Sequence, residues 1–251
     1  PYQLKDSKIN FSKPKKKTIF FLLIETSHVV NFFLMLFAKI LQIKGYSVYA
    51  LVCDQFLDAC EIKSIRSVKN KNPCFECKFN QNKVYPFFKI QIKKLSDFNS
   101  PKLEKKITKK LQKYEKNNFS FRVKDKLNYL NVTINDSITR YYFGSHLEEK
   151  NQEKISKLSL DHCKTAIYMH EVSRIIDDEF KPIAVVSVMA SYSAWYPFFS
   201  YFKKDNRFRQ IGFDTEICSF DPFKFFPSIK FFKKFIQSRK KKELNKKENI
   251  E

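Results

Sequence analysis

The sequence predicts an α/β fold, a Rossmann-like parallel sheet flanked by helices. Three observations predict it. Thr18 to Ile24 is an unbroken, β-prone apolar run, as expected of a strand buried on both faces of a parallel sheet. From His28 to Lys44, the residues Val29, Phe32, Phe33, Leu36, Phe37, Ile40 and Ile43 recur at helical spacing, with Asn31, Lys39 and Gln42 as a narrow polar stripe. Tyr46 to Cys53 is apolar again. Strand, helix and strand compose one βαβ unit, whose crossover is expected to be right-handed.

Later segments extend the pattern. Gly45 supplies the helix stop, and Lys44-Gly45-Tyr46-Ser47-Val48 is the tight turn into the second strand. A short helix is expected from Phe56 to Ile65, and Pro73-Cys74-Phe75-Glu76-Cys77 opens another. Pro101 to Asn117 sets Leu103, Ile107, Leu111 and Tyr114 on one face among lysines, which describes a solvated surface helix. Tyr141 to Ser145 holds Gly144 and marks a turn. A long helix should run from Glu148 to Phe180 and stop at Lys181-Pro182, before a buried strand from Ile183 to Val188 and a helix from Ala194 to Lys203. After a short apolar piece at Ile217 to Phe220, Phe231, Phe232, Phe235 and Ile236 form an apolar patch among lysines. Arg239 to Glu251 is almost wholly polar. The expected organisation is a basic extension over 1–17, one α/β domain over 18–226, and a basic amphipathic tail over 227–251.

With 251 residues, 43% of them hydrophobic, the chain has enough apolar surface for a sizeable core and lies outside the disordered class. The net charge of +22 raises the question of nucleic acid. No nucleic-acid-binding motif accompanies it, and abundant Lys, Asn, Ile and Phe with scarce Gly is the usage an AT-rich genome imposes; no nucleic-acid partner is expected. An anionic membrane surface suits the lysine excess better. Pro14-Lys15-Lys16-Lys17 before Thr18 to Ile24 mimics a signal peptide, but Glu25, His28 and Asn31 interrupt the apolar stretch. The expected location is cytoplasmic, peripheral at the inner membrane face. A chain beginning at Pro1 without Met reads as a fragment.

Open α/β sheets bind ligands outside the carboxyl ends of their strands, near a switch in strand order. That rule selects Glu25 to His28, Asp54 and Gln55, and Met189 to Trp195. Glu25 and His28 are the candidate general bases, since either can take a proton from a hydroxyl nucleophile. Thr26, Ser27, Asp54, Ser191, Tyr192 and Trp195 are the candidate substrate contacts. Each has a plainer reading. A hydroxyl or acid at a helix start caps orphan N–H groups, and Trp195 can stack on a ligand or anchor the last helix in the core. His146, His162 and His170 read as structural, on helical or turn surfaces.

Six cysteines leave three readings open. Cys74 and Cys77 have the two-residue gap of a zinc knuckle, which Cys53 and Cys60 could complete; the alternatives are ordinary buried thiols or a redox pair. The second half of the metal motif is wrong, because Cys53 ends a strand and no second two-residue gap exists. No metal or other cofactor is therefore assigned. Glycine occurs only at positions 45, 144 and 212, so neither a dinucleotide fingerprint nor a Walker A loop is present.

Ile19 to Ile24, Glu25-Thr26-Ser27-His28, the Lys44 to Val48 turn, Leu51-Val52-Cys53-Asp54, Cys60-Glu61, Cys74 to Cys77 and Val185 to Trp195 together resemble the acceptor-side, N-terminal domain of bacterial GT-B glycosyltransferases for capsule and surface polysaccharide. The resemblance covers Thr18 to Tyr201 and is weakest between Phe79 and Glu153. It departs at Met189-Ala190-Ser191, where relatives carry a His-Gly pair. It implies sugar transfer from a nucleotide-sugar, bound outside this chain, to a lipid-linked glycan acceptor, without metal. Glu25 or His28 would serve as base. The rival expectation is a non-catalytic peripheral membrane or interaction module with a Cys-rich structural element.

Overall fold

The computed structural model describes residues 15–24, 28–60, 63, 74–116, 128–141 and 152–211. The expected α/β class is what it shows. The βαβ opening is strand β1 (Lys15–Leu23), helix α1 (His28–Ile43) and strand β2 (Tyr46–Val52). Gly45 takes φ 88° and donates its N–H to the Gln42 carbonyl, a left-handed helix stop open to glycine without a Cβ penalty. β1 starts at Lys15 rather than Thr18, with an irregularity in its pairing between the two. Asn31 is fully buried rather than part of an outer polar stripe, and Phe32 stays 45% exposed.

The Phe56 to Ile65 helix is not found: Phe56 to Cys60 is irregular, and most of the remainder lies outside the described residues. A bent helical stretch follows, α2 (Phe75–Phe79), a π-turn segment (Asn80–Val84) and α3 (Tyr85–Phe88). It leads into β3 (Gln91–Lys94) and a 3-10 turn (Leu95–Phe98). Helix α4 (Pro101–Lys116) matches expectation. Ser100 Oγ accepts the Leu103 N–H, and Pro101 occupies the first turn, where its missing donor costs nothing. Leu103, Ile107 and Tyr114 are buried; Lys105, Lys109 and Lys113 between them are exposed, while Lys106 and Lys110 reach the buried Glu171.

Helix α5 (Asn128–Tyr141) precedes α6 (Gln152–Phe180), β4 (Ala184–Ser187), α7 (Tyr192–Phe202), a 3-10 turn (Lys203–Asp205) and β5 (Phe208–Gln210). All neighbours pair in parallel, in the order β3-β2-β1-β4-β5. β1 is therefore central. Ile19 to Ile24 are at most 3% exposed, and each such large side chain contributes about 1.5–3 kcal/mol on burial. Phe20 stacks on Tyr49 at 5.1 Å, and Phe180 packs edge-on against both rings.

The amino ends of β4 and β5 are tied by charge. Arg207 binds Asp177 through both terminal guanidinium nitrogens and donates to the Pro182 carbonyl at 3.2 Å. Asp205 adds a third carboxylate hydrogen bond to Arg207 at 2.7 Å. The Arg207 hydrogen bonds to Asp177 hold that carboxyl below its usual range.

The chain divides into units Pro1–Gln210 and Ile211–Glu251. The expected tail features at Ile217 to Phe220, Phe231, Phe232, Phe235 and Ile236 lie outside the described residues, as do Gly144 and His146. Among the described residues, no helix is long and apolar enough to cross a membrane.

Candidate functional site at the switch in strand order

The strand order locates the site more narrowly than the sequence could. From β1 the chain steps outward to β2 and β3, then returns to place β4 on the other side of β1. The switch lies between β1 and β4, which run in register from Ile19↔Ala184 to Phe21↔Val186. A crevice at such a point is bounded by the two loops that leave those carboxyl ends. Here the described parts of those segments are Ile24 after β1 and 188–191 after β4. Glu25, Thr26 and Ser27 lie outside the described residues, as does the side chain of His28, whose backbone begins α1.

Asp54 stands one strand away, and its oxygens are engaged. One accepts the Ser96 N–H at 3.3 Å and the other the Ser96 hydroxyl, tying the end of β2 to the turn after β3. The rest of that loop is similarly closed. Gln81 donates to the Cys53 carbonyl, Thr165 to the Ala59 carbonyl at 2.7 Å, and Lys63 Nζ to the Leu57 carbonyl at 3.2 Å. Tyr168 donates its hydroxyl to the Leu95 carbonyl from the same side. The structure thus gives Asp54 a tethering role within the fold.

The β4 exit is built differently. Ser187 is buried and its hydroxyl accepts the Met189 N–H at 3.2 Å. Ser191 is exposed and extended, and its side chain makes no cap hydrogen bond. The capping function has moved to another helix: the Ser193 N–H donates to Ser137 Oγ of α5 at 3.0 Å. Ser193 Oγ in turn meets His162 Nδ1 of α6 at 2.8 Å. His162 is fully buried, and burial pushes its pKa down to about 4, so its ring is neutral near pH 7. The expectation of a surface position for His162 is corrected: the ring is in the core and bonded to Ser193. Its signal was available in the sequence only as a single polar residue beside the inward Cys163 of a long helix.

Above this polar seam the backbone is strained. Tyr192, at the first position of α7, has φ 67°. For a bulky side chain that region costs about 1–3 kcal/mol and persists only where surrounding contacts dictate it. Ser137 and His162 supply such contacts through Ser193. The half-buried Tyr192 ring meets the Trp195 ring edge-on at 6.4 Å. Trp195 is 1% exposed and sits in the core cluster.

The strain has a direct test. At an ordinary helical position alanine exceeds glycine by about 1 kcal/mol. Here Tyr192→Gly is expected to be more stable than Tyr192→Ala by about 1 kcal/mol in urea unfolding, because only glycine enters φ 67° freely. Alanine ahead of glycine would remove the strain argument.

Other chemistry-bearing groups do not gather into a second site. Cys53, Cys60 and Cys163 are buried, and burial raises the Cys53 thiol pKa. Among the described residues, no three His, Cys, Asp or Glu side chains form a metal-sized cluster. Cys218 lies outside them. His170 is half-buried beside Tyr201, with rings 5.8 Å apart.

No family model matches this chain. No curated protein matches it. Four solved chains do, among them a CDPS, a cyclodipeptide synthase, from Fluoribacter dumoffii. It is 14% identical over 78% of this chain and 88% of that one, with a TM-score of 0.47. The expected resemblance to capsule glycosyltransferases is corrected: no family model and no curated protein of that kind matches, and the neighbour named is a cyclodipeptide synthase. The alternative of a non-catalytic peripheral module with a Cys-rich element gains no support either. At this identity and TM-score, the likeness assigns the chain no activity of its own.

Proposed function

We propose that the chain is an enzyme whose small-molecule substrate occupies the crevice outside the carboxyl ends of β1 and β4. The observation that carries this reading is the strand order, which sets the carboxyl ends of β1 and β4 side by side at the switch point. The strained Tyr192 supports it, since backbone strain held by a buried network is a recurrent feature of ligand sites.

The chemistry fits proton-assisted group transfer. In this reading Glu25 or His28 takes the proton from an attacking hydroxyl or amine, and Thr26, Ser27, Ser191 and Tyr192 contact the substrate. Asp54 is assigned no contact in this reading, since each of its oxygens already accepts from Ser96.

Ligand-observed NMR of the full chain against a panel of polar small molecules tests the location. Binders are expected that Ser191→Trp and Glu25→Gln weaken at least about tenfold, equivalent to about 1.4 kcal/mol, while Lys105→Ala on the far face of α4 leaves them unchanged. Binders indifferent to Ser191→Trp would overturn the site.

A further inference from the structure

Trp195 is the chain's one tryptophan. Its indole N–H is buried and has no hydrogen-bond acceptor within reach among the described residues. Buried donors are paired in the great majority of cases, and each exception needs a reason. Phenylalanine at this position would fill apolar space without an orphan donor. The neighbouring polar groups are not similarly left over: Ser137, His162 and Ser193 bond to one another across three helices.

The orphan N–H and the strained backbone are one helical turn apart. Tyr192 and Trp195 stand three positions apart on α7, so their side chains share a face, and their rings touch edge-on at 6.4 Å. Both unfavourable features thus sit at the start of the helix that leaves the switch point. We propose that the Trp195 indole N–H is the hydrogen-bond donor for a ligand bound at the β1/β4 crevice, and that the Tyr192 ring covers this donor and moves off it on binding. The inference rests on the site location proposed above and deepens it.

The surroundings define the ligand's chemistry. Tyr192 meets the Trp195 ring, and its sequence neighbours Met189, Ala190 and Tyr196 are partly buried against the core cluster that contains Trp195; none of them carries charge. A single neutral donor among apolar and aromatic walls selects a planar apolar body bearing a carbonyl oxygen. The carbonyl accepts the indole N–H, and the planar body takes the place of the Tyr192 ring against the tryptophan.

A single tryptophan makes the test direct, because one indole N–H resonance reports one site. Benzamide is the probe, a planar ring with one carbonyl, titrated into the full nitrogen-15-labelled chain. The indole resonance is expected to move downfield and saturate together with the amides of residues 188–192. In Trp195→Phe the amides still move, with affinity weakened about fivefold by loss of one neutral hydrogen bond. In Tyr192→Ala without probe, acrylamide quenching of tryptophan fluorescence should rise severalfold. Amides of 188–192 that respond while the indole stays fixed would overturn the donor role and leave the site location standing. If neither responds, both readings fall. Quenching unchanged by Tyr192→Ala would overturn the cover.

Discussion

Replacing His162 with asparagine is expected to flatten the protein's stability between pH 6.5 and about 4. The wild-type imidazole is fully buried, and burial lowers its pKa from 6.5 to about 4. In that window the unfolded chain binds a proton that the folded chain refuses, so stability falls as pH falls. A single group with that shift accounts for about 3 kcal/mol between the two ends of the window. Asparagine keeps a hydrogen-bonding group near the position of Nδ1 but does not titrate. Urea unfolding at pH 7, 6, 5 and 4 should therefore show a variant weaker than wild type at pH 7, from lost packing, and closing on it as pH drops. His170 is also lowered to about 4, by burial first and then by Lys110, so part of the slope will remain. A constant difference between variant and wild type would show that the imidazole does not titrate differently on folding.

The second large effect lies at Glu171. Its side chain is 2% exposed and accepts from Lys106 at 2.7 Å and Lys110 at 2.6 Å, with Arg174 at 3.3 Å. Burial alone would raise its pKa, but the two ammonium hydrogen bonds reverse that and hold it at about 2. The lysines are 44% and 30% exposed, so they rehydrate when the carboxylate is removed. That reduces the cost below the 3–5 kcal/mol typical of breaking a buried pair, and Glu171→Gln is expected to lose about 2–3 kcal/mol at pH 7. A depressed carboxylate contributes stability above its unfolded value of 4.5 and loses it as pH falls towards about 2. The difference between wild type and Glu171→Gln should shrink across that lower window. The two acid limbs are thus separable, histidine above and Glu171 below. A Glu171→Gln chain as stable as wild type at pH 7 would show that the pair only orients α4 on α6.

The central elements were legible because burial on both faces writes itself as an apolar run. β1, β2 and β4 read this way, and α1, α4 and α6 by their inward spacing. The edge strands were not legible. β3 is Gln91-Ile92-Lys93-Lys94 and β5 is Phe208-Arg209-Gln210, each short, polar and paired on one side alone. Such strands carry little hydrophobic signal for the same reason that they are safe at an edge. α5 was missed for another reason. Its buried apolar stripe is only Leu130, Ile134 and Ile138, and the buried Thr133 and Ser137 beside it read as polar positions.

The strand ends that frame the proposed site were legible to the level of loops. Naming the ends of three strands was possible from local pattern, whereas choosing among them required the order of strands, a long-range property. Asp54 illustrates the gap: a carboxylate at a strand end looks the same in sequence whether it faces a ligand or Ser96. The positive φ of Tyr192 left no local mark either, because the residues enforcing it are distant in the chain and tyrosine is not a residue that favours that region.

The strand order also sets a timetable for synthesis. β1 can close against β2 as soon as the intervening helix is made, but its other edge waits for β4, where Ile19 meets Ala184. For most of translation the central strand of the sheet carries one open row of peptide groups. Open edges of that kind invite pairing with other chains, and slow, long-range parallel closure prolongs the interval. Yield in a heterologous host should accordingly respond to temperature and chaperone supply more strongly than the finished fold's stability would suggest.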